Sequence, residues 1–176
     1  MTEIELVGID ADDTLWQSET FFAEVEEKFT ELMSKYSSDT SLEESLSSNE
    51  ISNLRVFGYG VKSFTLSMIE TAHLASGGNI ASSDIKQIIS WGKELLQHPV
   101  ILLDGVEEAI RELASNFTVY IVTKGDLLHQ RSKIEDSGLD KLVAGFDIFH
   151  EKDPESYLDF LTEKNVDPKN FLMAGN

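Results

Sequence analysis

Four short apolar runs, Ile4 to Ile9, Phe117 to Val122, Gly145 to Phe149 and Phe171 to Ala174, are separated by stretches with helical periodicity. Strands that alternate with helices pair in parallel through crossover connections, since tight hairpins join only antiparallel neighbours. The expected fold class is therefore α/β, a three-layer core with a parallel sheet in the middle. Sites in such folds lie at the C-terminal ends of the strands. With 176 residues and 41% apolar residues, the chain can build one sizeable core with a smaller satellite.

The first run ends in Asp10-Ala11-Asp12-Asp13-Thr14. Residues two apart on a strand face the same way, so Asp10 and Asp12 address one site if the chain stays extended. Crowded carboxylates repel, and a bound cation or a lysine relieves the repulsion. A shared site can also hold one carboxylate ionised and the other protonated, which suits a nucleophile beside a general acid. An Asp-rich turn after a strand can equally be a helix cap or a solvated loop. A calcium loop of the EF-hand kind does not fit, because its glycine position is Leu15 and its closing glutamate position is Phe21.

Asp10, Asp12, Thr14 and Leu15 after an apolar strand resemble the first motif of the haloacid dehalogenase superfamily, Asp-x-Asp-x-Thr-[Leu/Val]. Most members carry Gly where this chain has Asp13, and Asp is a familiar variant among their small-molecule phosphatases. Asp12 is the diagnostic position, since dehalogenases of the family lack the second acid and phosphatases and phosphomutases use it to protonate the leaving oxygen. The resemblance implies a Rossmann-like core with an inserted α-helical cap between the first two motifs. It also implies a magnesium-dependent phosphohydrolase in which Asp10 forms an aspartyl-phosphate and Asp12 serves as acid and then base.

Thr123, after the second apolar run, resembles the second motif, whose hydroxyl holds a phosphoryl oxygen. Lys152, before a helix in the second half, is the candidate for the third-motif lysine, and the competing Lys124 is assigned a substrate contact through its loop. Phe171-Leu172-Met173-Ala174-Gly175-Asn176 resembles the opening of the fourth motif, but the sequence stops before the acid that helps bind magnesium. The implied metal ligands are Asp10, Asp12 and the neutral amide of Asn176. Truncation, or a divergent relative, accounts for the missing acid. The alternatives in function are a non-catalytic relative that binds a phosphorylated ligand or a protein, and a sugar-phosphate mutase.

Between the first two motifs, Phe22, Val25, Phe29, Leu32, Met33 and Tyr36 mark a helix over residues 18–36. Residues 37–53, rich in Ser, Glu and Asp, read as a loop with one helical turn at Leu42 to Leu46. A second helix is expected through Phe57, Val61, Phe64, Met68 and Ala72, stopped at Gly77-Gly78. Ser82-Ser83-Asp84 then caps a third. Residues 17–98 thus form the expected helical cap, with 1–16 and 99–176 as the core. Nothing in the cap sequence specifies a particular sugar, nucleotide or carboxylate.

A formal charge of −18 repels long polyanions, so nucleic acid is not an expected partner. A small phosphorylated substrate is feasible, because a divalent cation and one or two lysines reverse the field locally. No apolar stretch approaches the roughly 20 residues that span a bilayer, so no membrane partner is expected. Met1-Thr2-Glu3 leads straight into the first strand without a signal-peptide pattern, and the chain has no cysteine. These features set a cytoplasmic expectation; the sequence does not specify an oligomeric state.

Overall fold

The computed structural model describes residues 3–36 and 41–175. In chain order the elements are β1 (Leu6–Ile9), α1 (Glu19–Met33), α2 (Leu42–Phe57), α3 (Val61–Ala75), α4 (Ser82–Leu96), α5 (Val106–Asn116), β2 (Thr118–Lys124), α6 (Leu127–Ser137), β3 (Gly145–Phe149), α7 (Pro154–Lys164) and β4 (Phe171–Ala174). The strands form one parallel sheet in the order β3-β2-β1-β4. Leu6 lies opposite Thr118 and Phe171, and Ile9 opposite Ile121 and Ala174. The parallel α/β expectation holds.

Alternation along the strands distributes the core over both faces. Val7, Ile9, Val119 and Ile121 pack with Ile110 of α5 and Ile134 of α6. Leu6 and Val122 pack on the opposite face with Phe149 and with Phe160 and Leu161 of α7. Because β1 is covered on both faces, all four of its residues are buried. Gly8 is the small residue this crowding requires: a Cβ there would lie 2.9 Å from both Met173 Sδ and Phe171 Cζ.

The chain divides into two compact units, Met1–Glu19 with Pro99–Asn176, and Thr20–His98. The second is the inserted helical cap region. Its core joins Phe29 and Met33 of α1, Leu46 of α2, Phe64 and Met68 of α3, and Ile88 and Trp91 of α4. Among the described residues no helix is long and apolar enough to cross a membrane.

Three local expectations change. Within residues 37–53 a loop was expected; 37–40 lie outside the described residues, and from Leu42 onward the chain is the continuous helix α2. Hydrophobic periodicity misses it because polar side chains do much of its packing on α3. Asn53 Nδ2 donates to Ser67 Oγ at 3.1 Å and Glu70 Oε2 at 2.9 Å, and Asn49 Nδ2 to Thr71 Oγ1 at 2.8 Å. Phe57 ends α2 rather than opening the next helix, because Gly58 and Gly60 take φ of 72° and 105° and break the chain between them. At α4 the N-cap is Ala81, without a side-chain cap. Asp84 instead accepts from Tyr36 and pairs with Lys35 at 2.8 Å.

Burial and the neighbouring Glu26 charge push the Glu50 carboxyl of α2 up to about 7 from 4.5. A folded-state value above the unfolded one means that the folded state holds this proton more tightly. Its stabilising effect is full at pH below 4.5 and is lost as the pH rises through 7. Glu50→Gln is expected to stabilise the protein by about 1 kcal/mol at pH 8, after allowing for solvent screening of a partly exposed site. Urea unfolding at pH 8 and pH 4 checks it, since the difference should close at the lower pH.

Candidate active site

Strand pairing carries Asp10 to the C-terminal rim of the sheet, where its N–H donates to Ala174 O at 2.9 Å. Immediately afterwards the chain turns, with the Thr14 and Leu15 N–H groups on Ala11 O at 3.2 and 2.7 Å. The chain thus turns right after the strand, and each acid meets a different ammonium group. Lys152 Nζ, from the loop between β3 and α7, pairs with Asp10 Oδ1. That oxygen also accepts the Ala11 N–H at 2.8 Å. Lys133 Nζ, on α6, pairs with Asp12 Oδ1 at 2.5 Å.

Further donors complete the Asp12 environment. The Trp16 indole N–H donates to Oδ1 at 2.7 Å and the Gln130 amide to Oδ2 at 2.9 Å. Burial pushes the Asp12 carboxyl up, but the Lys133 charge and the hydrogen bonds from Lys133, Gln130 and Trp16 outweigh it. The group is held below the usual carboxylate range. Each of the two acids at the rim thus has its own ammonium partner.

Thr123 lies within β2 rather than after it and is 2% exposed. It follows Val119 and Ile121 on the same face of the strand, the face covered by α6, and its hydroxyl accepts from Gln130 Nε2 at 2.8 Å. Lys124 points its ammonium to Glu151 Oε1 at 2.8 Å. The same Glu151 oxygen accepts the Lys152 N–H at 3.0 Å, so Lys124 braces the loop that carries Lys152. Asp13, at φ 57°, accepts N–H groups of Ser18 and Glu19 where the chain enters α1, which explains an Asp in a left-handed turn.

Gly175 (φ 131°) closes the rim from β4. A Cβ there would lie 2.5 Å from Asp10 Cβ and 3.0 Å from Thr14 Oγ1. Asn176, the third expected metal ligand, lies outside the described residues. The rim therefore gathers Asp10, Asp12, Thr123 and Lys152, with Lys124 beside them.

The haloacid dehalogenase-like hydrolase family matches residues 4–176. The chain belongs to this family. A haloacid dehalogenase-like hydrolase from Xanthomonas campestris is 43% identical, with a TM-score of 0.93 covering 98% of this chain and 73% of that one. The HAD-hydrolase YfnB from Bacillus subtilis, bound to magnesium, is 18% identical with a TM-score of 0.64 over 97% of this chain and 77% of its own. A 2-haloacid dehalogenase from Pseudomonas syringae is 19% identical with a TM-score of 0.62 over 97% and 76%. These two lower identities establish a common fold. No curated protein matched the chain.

For this haloacid dehalogenase-like hydrolase, sequence reasoning missed Gln130 and Lys133. Their signal is spacing: they lie three residues apart on the helix that follows Thr123, so they share one face. Among the described residues no three His, Cys, Asp or Glu side chains are grouped to hold a metal. Magnesium does not need such a cage, because it keeps several waters and takes one or two carboxylates plus phosphate oxygens. The Asp10 carboxylate and the Asp12 main-chain carbonyl are hard oxygen donors of that kind, and the donor set fits.

Removing Lys133 leaves a partly buried carboxylate without its cation, so Lys133→Met is expected to cost about 2 kcal/mol. Adding Asp12→Leu removes the orphaned charge, and the double variant should lose less than the two single variants together. A double-mutant cycle by urea unfolding checks this coupling.

Proposed function

We propose that this chain is a magnesium-dependent phosphohydrolase that releases phosphate from a small phosphorylated metabolite. The carrying observation is that two acids at one sheet rim each meet their own ammonium, Asp10 with Lys152 and Asp12 with Lys133. Two cations beside an anion-binding hydroxyl suit a phosphoryl group in a chain whose net charge is −18. The second acid, with its own set of donors, favours phosphoester chemistry over dehalogenation.

An Asp10 carboxylate oxygen attacks phosphorus in line. The bond to the leaving alcohol breaks, its electron pair stays on the alcohol oxygen, and that oxygen takes the proton of Asp12. Asp12, ionised at rest, takes its proton from solvent as the incoming phosphate adds negative charge to the rim. In the second step the Asp12 carboxylate takes a proton from water while the water oxygen attacks phosphorus. The Asp10 oxygen leaves as a carboxylate and inorganic phosphate is released, while Asp12, protonated by the water, gives that proton to solvent as the phosphate departs.

Lys152 and the Thr123 hydroxyl hold charge on the transferring oxygens. Asp10 and the Asp12 carbonyl would hold magnesium, which when bound supplies Lewis-acid neutralisation of phosphoryl charge. Magnesium bound to the related YfnB supports the choice of metal.

Phosphate release from a panel of phosphomonoesters, followed colorimetrically with magnesium present, tests the reading. Asp10→Asn should lower kcat by about 10³-fold or more, and chelation with EDTA should abolish turnover until magnesium is restored. Undiminished release by Asp10→Asn would sink the proposal, as would the absence of release from every ester.

A further inference from the structure

Gln130 is 3% exposed, and its amide nitrogen donates to Asp12 Oδ2 at 2.9 Å, Thr123 Oγ1 at 2.8 Å and Lys124 O at 3.1 Å. The orientation of the amide follows from these partners. Turned over, its oxygen would face a carboxylate and a carbonyl, so only the NH2 edge fits. Two protons are shared among three acceptors. Thr123, by accepting, keeps its own hydroxyl proton free to donate to another group.

The division of labour around Asp12 gives this amide a distinct place. Lys133 and Trp16 both bind Oδ1, and Gln130 binds Oδ2. Without Gln130 the carboxylate keeps its cation but can turn about its Cβ–Cγ bond. The helix carrying Gln130 is itself fixed. Asp126 caps it by accepting the His129 N–H at 2.9 Å, and the Gln130 N–H donates to Asp126 O at 2.8 Å. Gly125 (φ 136°) fits the turn around the same side chain, since a Cβ there would lie 3.3 Å from Gln130 Cγ.

Resting on the reading of Asp12 as proton donor and Thr123 as a phosphoryl contact, we propose that Gln130 is a positioning residue. It locks the rotation of the Asp12 carboxyl relative to the Thr123 hydroxyl, so that the proton carried on Oδ2 faces the departing oxygen. The lock matters most where the leaving group needs the proton. An aryl phosphate with a stabilised leaving group needs little help, and a poor leaving group depends on the donor.

The test uses the full chain and the Gln130→Met variant, which keeps the length of the side chain and removes the amide. Phenyl phosphate and para-nitrophenyl phosphate serve as probes with magnesium. For the variant, kcat on phenyl phosphate should fall about 100-fold, and on the nitro ester by less than about 10-fold, the gap reflecting lost acid assistance. An equal fall on both esters would overturn the proposal, because a purely structural or phosphate-binding role weakens both alike.

An independent readout needs no turnover. The chain has two tryptophans; the Trp16 indole N–H reports on Asp12, and Trp91 lies in the cap core. In ¹H–¹⁵N spectra the Trp16 indole resonance should shift in Gln130→Met, with that of Trp91 unmoved. A Trp16 resonance that stays in place would refute the lock even if the wild-type protein hydrolyses neither ester, an outcome that would count against the phosphohydrolase reading alone. Gln130→Glu, nearly isosteric and unable to donate when ionised, repeats both measurements if the methionine variant fails to fold.

Discussion

Charge compensation at the sheet rim is the constraint on which the rest of the site depends. Two carboxylates two residues apart at one strand end repel, and that repulsion grows as water is excluded. Unit charges 4 Å apart interact by about 4 kcal/mol at an effective dielectric of 20. The fold meets this demand with two ammonium groups from different elements, Lys133 on α6 and Lys152 in the loop after β3. Neither lysine is near the acids in sequence. Both arrive because β1 sits inside the sheet, with β2 on one side and β4 on the other.

The main architecture was legible because buried parallel strands leave a strong mark. Leu6 to Ile9 and Thr118 to Val122 are rich in β-branched and aliphatic residues, and the helices between strands carry their own period. Helix α2 was not legible, because Asn49 and Asn53 bond to α3 through amides that no hydrophobic pattern records. In the site, Asp10, Asp12, Thr123 and Lys152 were legible from motif order. Lys133 and Gln130 were not, since a lone Lys or Gln on a helix is ordinarily solvated and only tertiary placement makes either one a partner of Asp12.

The sheet and its helical insertion are shared with proteins of different described chemistry, including a 2-haloacid dehalogenase at 19% identity. Scaffold likeness therefore leaves the reaction open, and the discriminating information lies in side chains at the rim. Here it is concentrated in Asp12 and the three donors that converge on it. A second acid with so specific a set of partners is built into the rim, and a solvated turn would not require Lys133, Trp16 and Gln130 together.

The register of β1 also sets when the rim can assemble. Leu6 pairs with Thr118 and with Phe171, contacts that span most of the chain. Such distant pairings carry a large loop-closure cost and form slowly compared with helix-to-helix contacts between sequence neighbours. During synthesis the leading acids emerge first and wait, uncompensated, through the making of every helix of the insertion. Their lysines come later and the flanking fourth strand later still, so the charge-compensated rim assembles only after all of these segments have been made.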